Sequence, residues 1–133
     1  MSDPKNHHYV PKMYLKNFAT GEGRKASLVA VELETGKLFK PDVLTIVWAR
    51  RFAAYKRPDL ITRDIQLFRA MLNNPKYPVQ IIWAGKPYPF DYTAIEIFNQ
   101  LIRITRDYPN ATVLVGYELE LSRFLKNGSD IWL

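Results

Sequence analysis

From residue 43 onward the chain alternates short, unbroken apolar runs with longer segments whose apolar residues return every three or four positions. The runs are VLTIVW (43–48), VQIIWA (79–84), TVLVG (112–116) and IWL (131–133). Being continuous rather than alternating, they predict strands covered on both faces, as in a parallel sheet. Between the first two runs, Ile61, Ile65, Phe68 and Leu72 form a helical stripe, with Pro58 placed to open the helix. Asp91 is the predicted cap of a second helix carrying Ile95, Phe98, Ile102 and Thr105 on one face. A third helix carries Leu121, Phe124 and Leu125 and is expected to stop at Asn127 and Gly128. Residues 24–35 (RKASLVAVELET) fit both periods; a helix is expected there, with Gly36 as its stop.

The order β-α-β-α-β-α-β with right-handed crossovers predicts an α/β fold, a parallel Rossmann-like half-domain over residues 24–133. Residues 1–23 differ in character and stand as a separate N-terminal segment. A length of 133 residues, 47% of them hydrophobic, permits one core. The absence of cysteine removes disulfides and thiolate metal sites and suits a reducing compartment, so a cytoplasmic location is expected. No stretch approaches the roughly 20 apolar residues of a membrane helix, and no membrane partner is expected.

A net charge of +6 attracts anions generally, whether nucleic acid, an acidic surface or phosphate. Position narrows this. In an open parallel sheet, ligands bind outside the carboxyl ends of the strands. Arg50 and Arg51 follow the first predicted strand, with Tyr55, Lys56 and Arg57 just beyond; Gly85 and Lys86 follow the second, and Tyr117 the third. A cationic run is most often a solvated face, but strand-end placement makes a phosphate site an equal alternative. The opening of the first helix is expected to reinforce it through the helix dipole.

Other features carry less. Gly85-Lys86 is no Walker loop, because Pro87 follows and no glycine precedes at the required spacing. His7 and His8 have no third ligand at metal-binding spacing. Trp48, Trp83 and Trp132 fall in predicted strands and are assigned to the core or the sheet edge, and Glu118 and Glu120 to the opening of the third helix.

Three ordered segments, TGKLFKPDVLTIVWARRFAAYKR, YPVQIIWAGKPYP and ATVLVGYELELSRFLKNGSDIWL, resemble the glycogen and α-glucan phosphorylases. Residues 24–133 are similar to the start of that family's C-terminal domain, nearest its bacterial and archaeal branch. The resemblance implies a GT-B fold with the active site between two Rossmann-like domains. It also implies a glycosyltransferase that uses pyridoxal phosphate and inorganic phosphate to release glucose 1-phosphate from α-1,4-glucan. By motif, Arg51 and Lys56 match residues that bind the substrate phosphate, and Arg50 a basic residue near the cofactor phosphate. Tyr117 matches the segment lining the cofactor site, and Lys86 sits in a matching glycine-lysine turn.

The animal and plant branch carries lysine at the place of Arg50 and a His-Glu pair at Ala53-Ala54, so two of its polar contacts are absent here. The sequence ends at DIWL, ahead of the family's glycine-rich segment and cofactor-anchoring lysine. The expectation is therefore a fragment that is inactive alone and self-associates through uncovered surface. Two other readings stay open: a non-catalytic module binding phosphate or nucleic acid, the nucleic acid being disfavoured, and a piece of another GT-B glycosyltransferase.

Overall fold

The computed structural model describes residues 35–37, 39–116 and 119–133, the side chain of Glu120 excepted. Four strands, β1 (Leu44–Ala49), β2 (Val79–Gly85), β3 (Ala111–Val115) and β4 (Ile131–Trp132), form one sheet in the order β3-β2-β1-β4. Every pairing is parallel. Helices α1 (Ile65–Leu72), α2 (Tyr92–Thr105) and α3 (Leu119–Gly128) connect them. The expected α/β order is realised with strand ends displaced by at most one residue. Strand order reverses between β1 and β4, which makes their carboxyl ends the topological switch point of this Rossmann-like half-sheet.

Alternation along the strands divides the core into two layers. Trp48, Ile81 and Trp83 face α1 and α2 and pack with Phe52, Phe68, Leu72, Ala94, Phe98 and Leu101. Val47, Ala49, Ile82 and Ala84 face the other way and pack with Leu114, Phe39 and Leu125 of α3. Both layers use neighbouring residues of the same strand, which is why the runs are continuously apolar. Aromatic rings carry much of the first layer: Phe52 stacks obliquely on Trp48 at 4.7 Å and meets Phe98 edge-on at 4.9 Å. Each such buried side chain contributes about 1.5–3 kcal/mol relative to leaving it exposed.

The helices correct the sequence reading in detail. Pro58 does not open α1. The chain after β1 makes two 3-10 turns, Ala54–Lys56 and Leu60–Thr62, before Asp64 caps the helix, its carboxylate accepting from the N–H groups of Gln66 and Leu67. The four-residue step from Ile61 to Ile65 imitated a helical stripe, although Ile61 lies in a 3-10 turn. Asp91 caps α2 as expected, accepting from Ala94 N–H at 3.0 Å, but the buried line is Ala94, Phe98, Leu101 and Thr105, with Ile95 half-buried. Helix α3 runs through Gly128. Gly36 adopts the left-handed conformation (φ 67°) suited to a helix stop. The expected helix before it, at residues 24–34, lies outside the described residues, as do residues 1–23.

At the amino end of the sheet, polar side chains bond to the backbone of neighbouring segments. Lys37 Nζ donates to the carbonyls of Thr105 (2.7 Å), Tyr108 (3.0 Å) and Ala111 (2.8 Å), closing the end of α2 and the entry to β3. Gln80 accepts from Lys40 N–H at 2.9 Å and donates to Lys40 C=O and to the Thr45 hydroxyl, both at 2.7 Å. Asp130 Oδ2 accepts from Thr45 N–H at 2.7 Å and thereby fastens β4 to β1. Asn110 donates to the carbonyls of Leu72 and Val79.

Candidate anion-binding site at the carboxyl edge

Beyond β1 and β2 the chain continues as a paired seam rather than two separate loops. Arg50 N–H donates to Ala84 C=O at 3.0 Å, Phe52 N–H to Lys86 C=O at 3.2 Å, and Phe52 bridges to Pro87. Gly85 makes this possible. A Cβ at that position would lie 2.0 Å from the Arg50 carbonyl oxygen, so no larger residue fits while the seam is closed. Phe52, fully buried, anchors the seam into the core, and Arg51 and Lys86 are left exposed on its outer side.

Just beyond the end of β1, Arg50 and Arg51 serve different clefts. Arg51 lines an open cleft of about 470 Å³ with Lys86, Pro87, Tyr88 and Pro89, its guanidinium 5.4 Å from the centre of the Tyr88 ring. Arg50 lines a second cleft of about 220 Å³ with Lys56 and Arg57, over an apolar floor of Trp48, Pro58, Leu60, Ile61 and Leu133. Trp48 and Leu133 bring that cleft to the β1/β4 switch point.

The turn carrying Lys56 and Arg57 is held from below. The buried indole of Trp83 donates from Nε1 to Pro58 C=O at 2.9 Å, satisfying its one polar atom and fixing the turn over the sheet. Arg57 sits in the left-handed region (φ 49°, ψ 54°), a conformation that costs a non-glycine residue about 1–2 kcal/mol. The expected reinforcement by a helix N-terminus does not occur: α1 begins after Arg57, and the Asp64 carboxylate already occupies its leading N–H groups. The cations stand on 3-10 turns and strand ends instead.

The structure thus brings Arg51 together with Lys86, and Arg50 together with Lys56, around adjacent clefts. Tyr117 lies outside the described residues. Tyr88 was not singled out from the sequence; a tyrosine between two prolines directly after Gly85-Lys86 was the available signal. Among the described residues, no carboxylate pairs with Arg50, Arg51, Lys56, Arg57 or Lys86; the ion pairs there are Arg63 with Asp59 and Arg103 with Glu96. Among the described residues, the carboxyl edge is therefore a cationic surface that favours an anion.

The chain is 33% identical over 107 residues to the glycogen phosphorylase of Aquifex aeolicus and 35% identical over 95 residues to the maltodextrin phosphorylase of Thermococcus litoralis, alignments that take in 78% and 69% of it. This segment belongs to the glycogen and maltodextrin phosphorylase family. It spans 16% and 11% of the length of those two proteins. An uncharacterized protein of Methanocaldococcus jannaschii is 53% identical over 100 residues, covering 75% of this chain and 19% of its own. No protein-family model matches. Among the described residues, no helix is long and apolar enough to cross a membrane.

Proposed function

We propose that this phosphorylase-related segment forms the phosphate-holding edge of an α-glucan phosphorylase domain of the GT-B type. In this reading Arg51 and Lys56 bind the inorganic phosphate that attacks a terminal α-1,4-linked glucose, with glucose 1-phosphate as the product. Arg50 stands beside the cofactor phosphate with Tyr117 on the cofactor side, and Lys86, which lines the cleft of Arg51 rather than that of Arg50, adds its charge to the substrate side. The observation that carries the reading is the pair of basic clefts meeting at Arg50 and Arg51. A reaction that needs two phosphates next to each other requires two adjacent cationic positions, and the consecutive residues Arg50 and Arg51 just beyond β1 supply them.

The residues of the smaller cleft suit pyridoxal phosphate: an apolar floor of Trp48, Pro58, Leu60, Ile61 and Leu133 for a flat ring, and Arg50 for its phosphate, with Lys56 at the same cleft left for the inorganic phosphate beside it. When bound, the cofactor supplies a phosphate that acts together with the inorganic phosphate. The residues of this chain bind and orient the anions, and the buried Trp83–Pro58 contact keeps their turn in place.

The reading is tested by titrating the purified chain with inorganic phosphate, wild type against Arg51→Ala and Lys56→Ala. A charge-assisted contact contributes about 1.5–3 kcal/mol, so each substitution is expected to weaken binding by about ten-fold or more, with the unfolding midpoint nearly unchanged. The same substitutions in a chimera carrying this segment within the Aquifex enzyme should raise the phosphate requirement of glucose 1-phosphate formation. Unchanged phosphate affinity and kinetics in both variants would remove these residues from the site.

A further inference from the structure

We propose that Tyr88 is a positioning residue for the anion site, holding the Arg51 guanidinium over its ring so that the N–H edge of the arginine stays turned to the cleft. The inference rests on Arg51 being an anion ligand, as read above. Four observations carry it. The guanidinium carbon lies 5.4 Å from the Tyr88 ring centre, and both side chains line the same open cleft with Lys86. Tyr88 is 59% exposed, so its ring is not placed there by core packing. Its backbone is nevertheless held on both sides: Pro87 bridges to Phe52, and Tyr88 C=O accepts from Asp91 N–H at 3.1 Å where α2 begins. Pro89 further restricts Tyr88 to extended conformations.

A ring fixed in this way is a platform. An exposed arginine loses rotamer freedom when it grips an anion, and a stacking surface that already confines it reduces that loss. Stacking uses the face of the guanidinium and leaves its edge for oxyanion contacts. Lys86, on the other strand of the seam, adds a second charge to the same cleft.

The test uses the full chain, inorganic phosphate as the probe, and NMR detection of the Arg51 side-chain Nε–H, which a stacked ring shifts from the position of a solvated arginine. Wild type is compared with Tyr88→Phe, Tyr88→Leu and Arg51→Ala. Tyr88→Phe is expected to keep both the ring-shifted resonance and the affinity. Tyr88→Leu is expected to return the resonance to its ordinary position and weaken phosphate binding about two- to five-fold, the size of an exposed cation–π contact, at unchanged thermal midpoint. Tyr88→Gln gives the same reading should leucine disturb the loop. Unaltered affinity in Tyr88→Leu, or an equal loss in Tyr88→Phe, overturns the positioning role while leaving the anion site intact. Phosphate binding that is absent, or insensitive to Arg51→Ala, overturns the anion-site reading and this inference with it.

Discussion

The two ends of the sheet are built from the same kinds of residue and treat them in opposite ways. At the amino end, Lys37 spends its donors on three backbone carbonyls, Gln80 joins Lys40 to Thr45, and Asp130 ties β4 to β1. At the carboxyl end, Arg50, Arg51, Lys56, Arg57 and Lys86 have no carboxylate partner among the described residues. A lysine at one end is part of the framework; a lysine at the other is available to a ligand. Partners, rather than residue type, separate structural polarity from functional polarity.

The largest expected effect comes from a place where the carboxyl end is tightly packed. Gly85→Ala sets a methyl group against the Arg50 carbonyl and should destabilise the fold by about 3 kcal/mol or more, measured by urea unfolding. A loss below about 1 kcal/mol would mean that the seam opens easily, and the contrast with the amino end would weaken. Gln80→Leu comes next. It removes the side-chain partner of Lys40 N–H, one of the partners of Lys40 C=O beside Val43 N–H, and one partner of the Thr45 hydroxyl, for an expected loss of about 1–2 kcal/mol.

Arg57→Gly should act in the other direction. Glycine accepts the left-handed conformation that arginine holds at φ 49°, so stability should rise by about 0.5–1 kcal/mol while anion affinity falls. A gain in both would show that the strain serves no ligand. The smallest effect is a pH slope. Burial holds the Lys37 ammonium below the ordinary lysine value of 10.5, with Asp107 opposing it. The unfolded chain therefore binds this proton more tightly, and the unfolding free energy gains a contribution that rises with pH from the lowered value up to 10.5. Lys37→Met should flatten that rise, as read from urea titrations across the alkaline range.

Much of this contrast could be read in the sequence. The continuous apolar runs gave the parallel strands, because residues on both faces of each strand are buried, and Asp91 gave the start of α2. The carboxyl-end cations were placed correctly once the strands were in order. The start of α1 was misread because Pro58 and the spacing of Ile61 and Ile65 fit a helix as well as they fit two 3-10 turns. The true cap, Asp64, is a local signal that the stripe obscured. The division of Arg50 from Arg51 was not legible, because it depends on the bend of the chain just after β1. Nor was the clamp made by Lys37, because its acceptors at Thr105, Tyr108 and Ala111 are distant in sequence and are backbone atoms, which leave no trace in residue identity.

The approach of Gly85 to the Arg50 carbonyl also bears on how such a sequence can change over time. A side-chain clash can be relieved by a smaller neighbour, so two positions may drift together. Here the obstacle is a main-chain oxygen, which every possible residue at position 50 would carry in the same place. No partner substitution there restores room at 85. The cations around the clefts are open to exchange whenever the ligand changes, whereas the glycine between them is closed to drift for as long as the two strand ends remain joined.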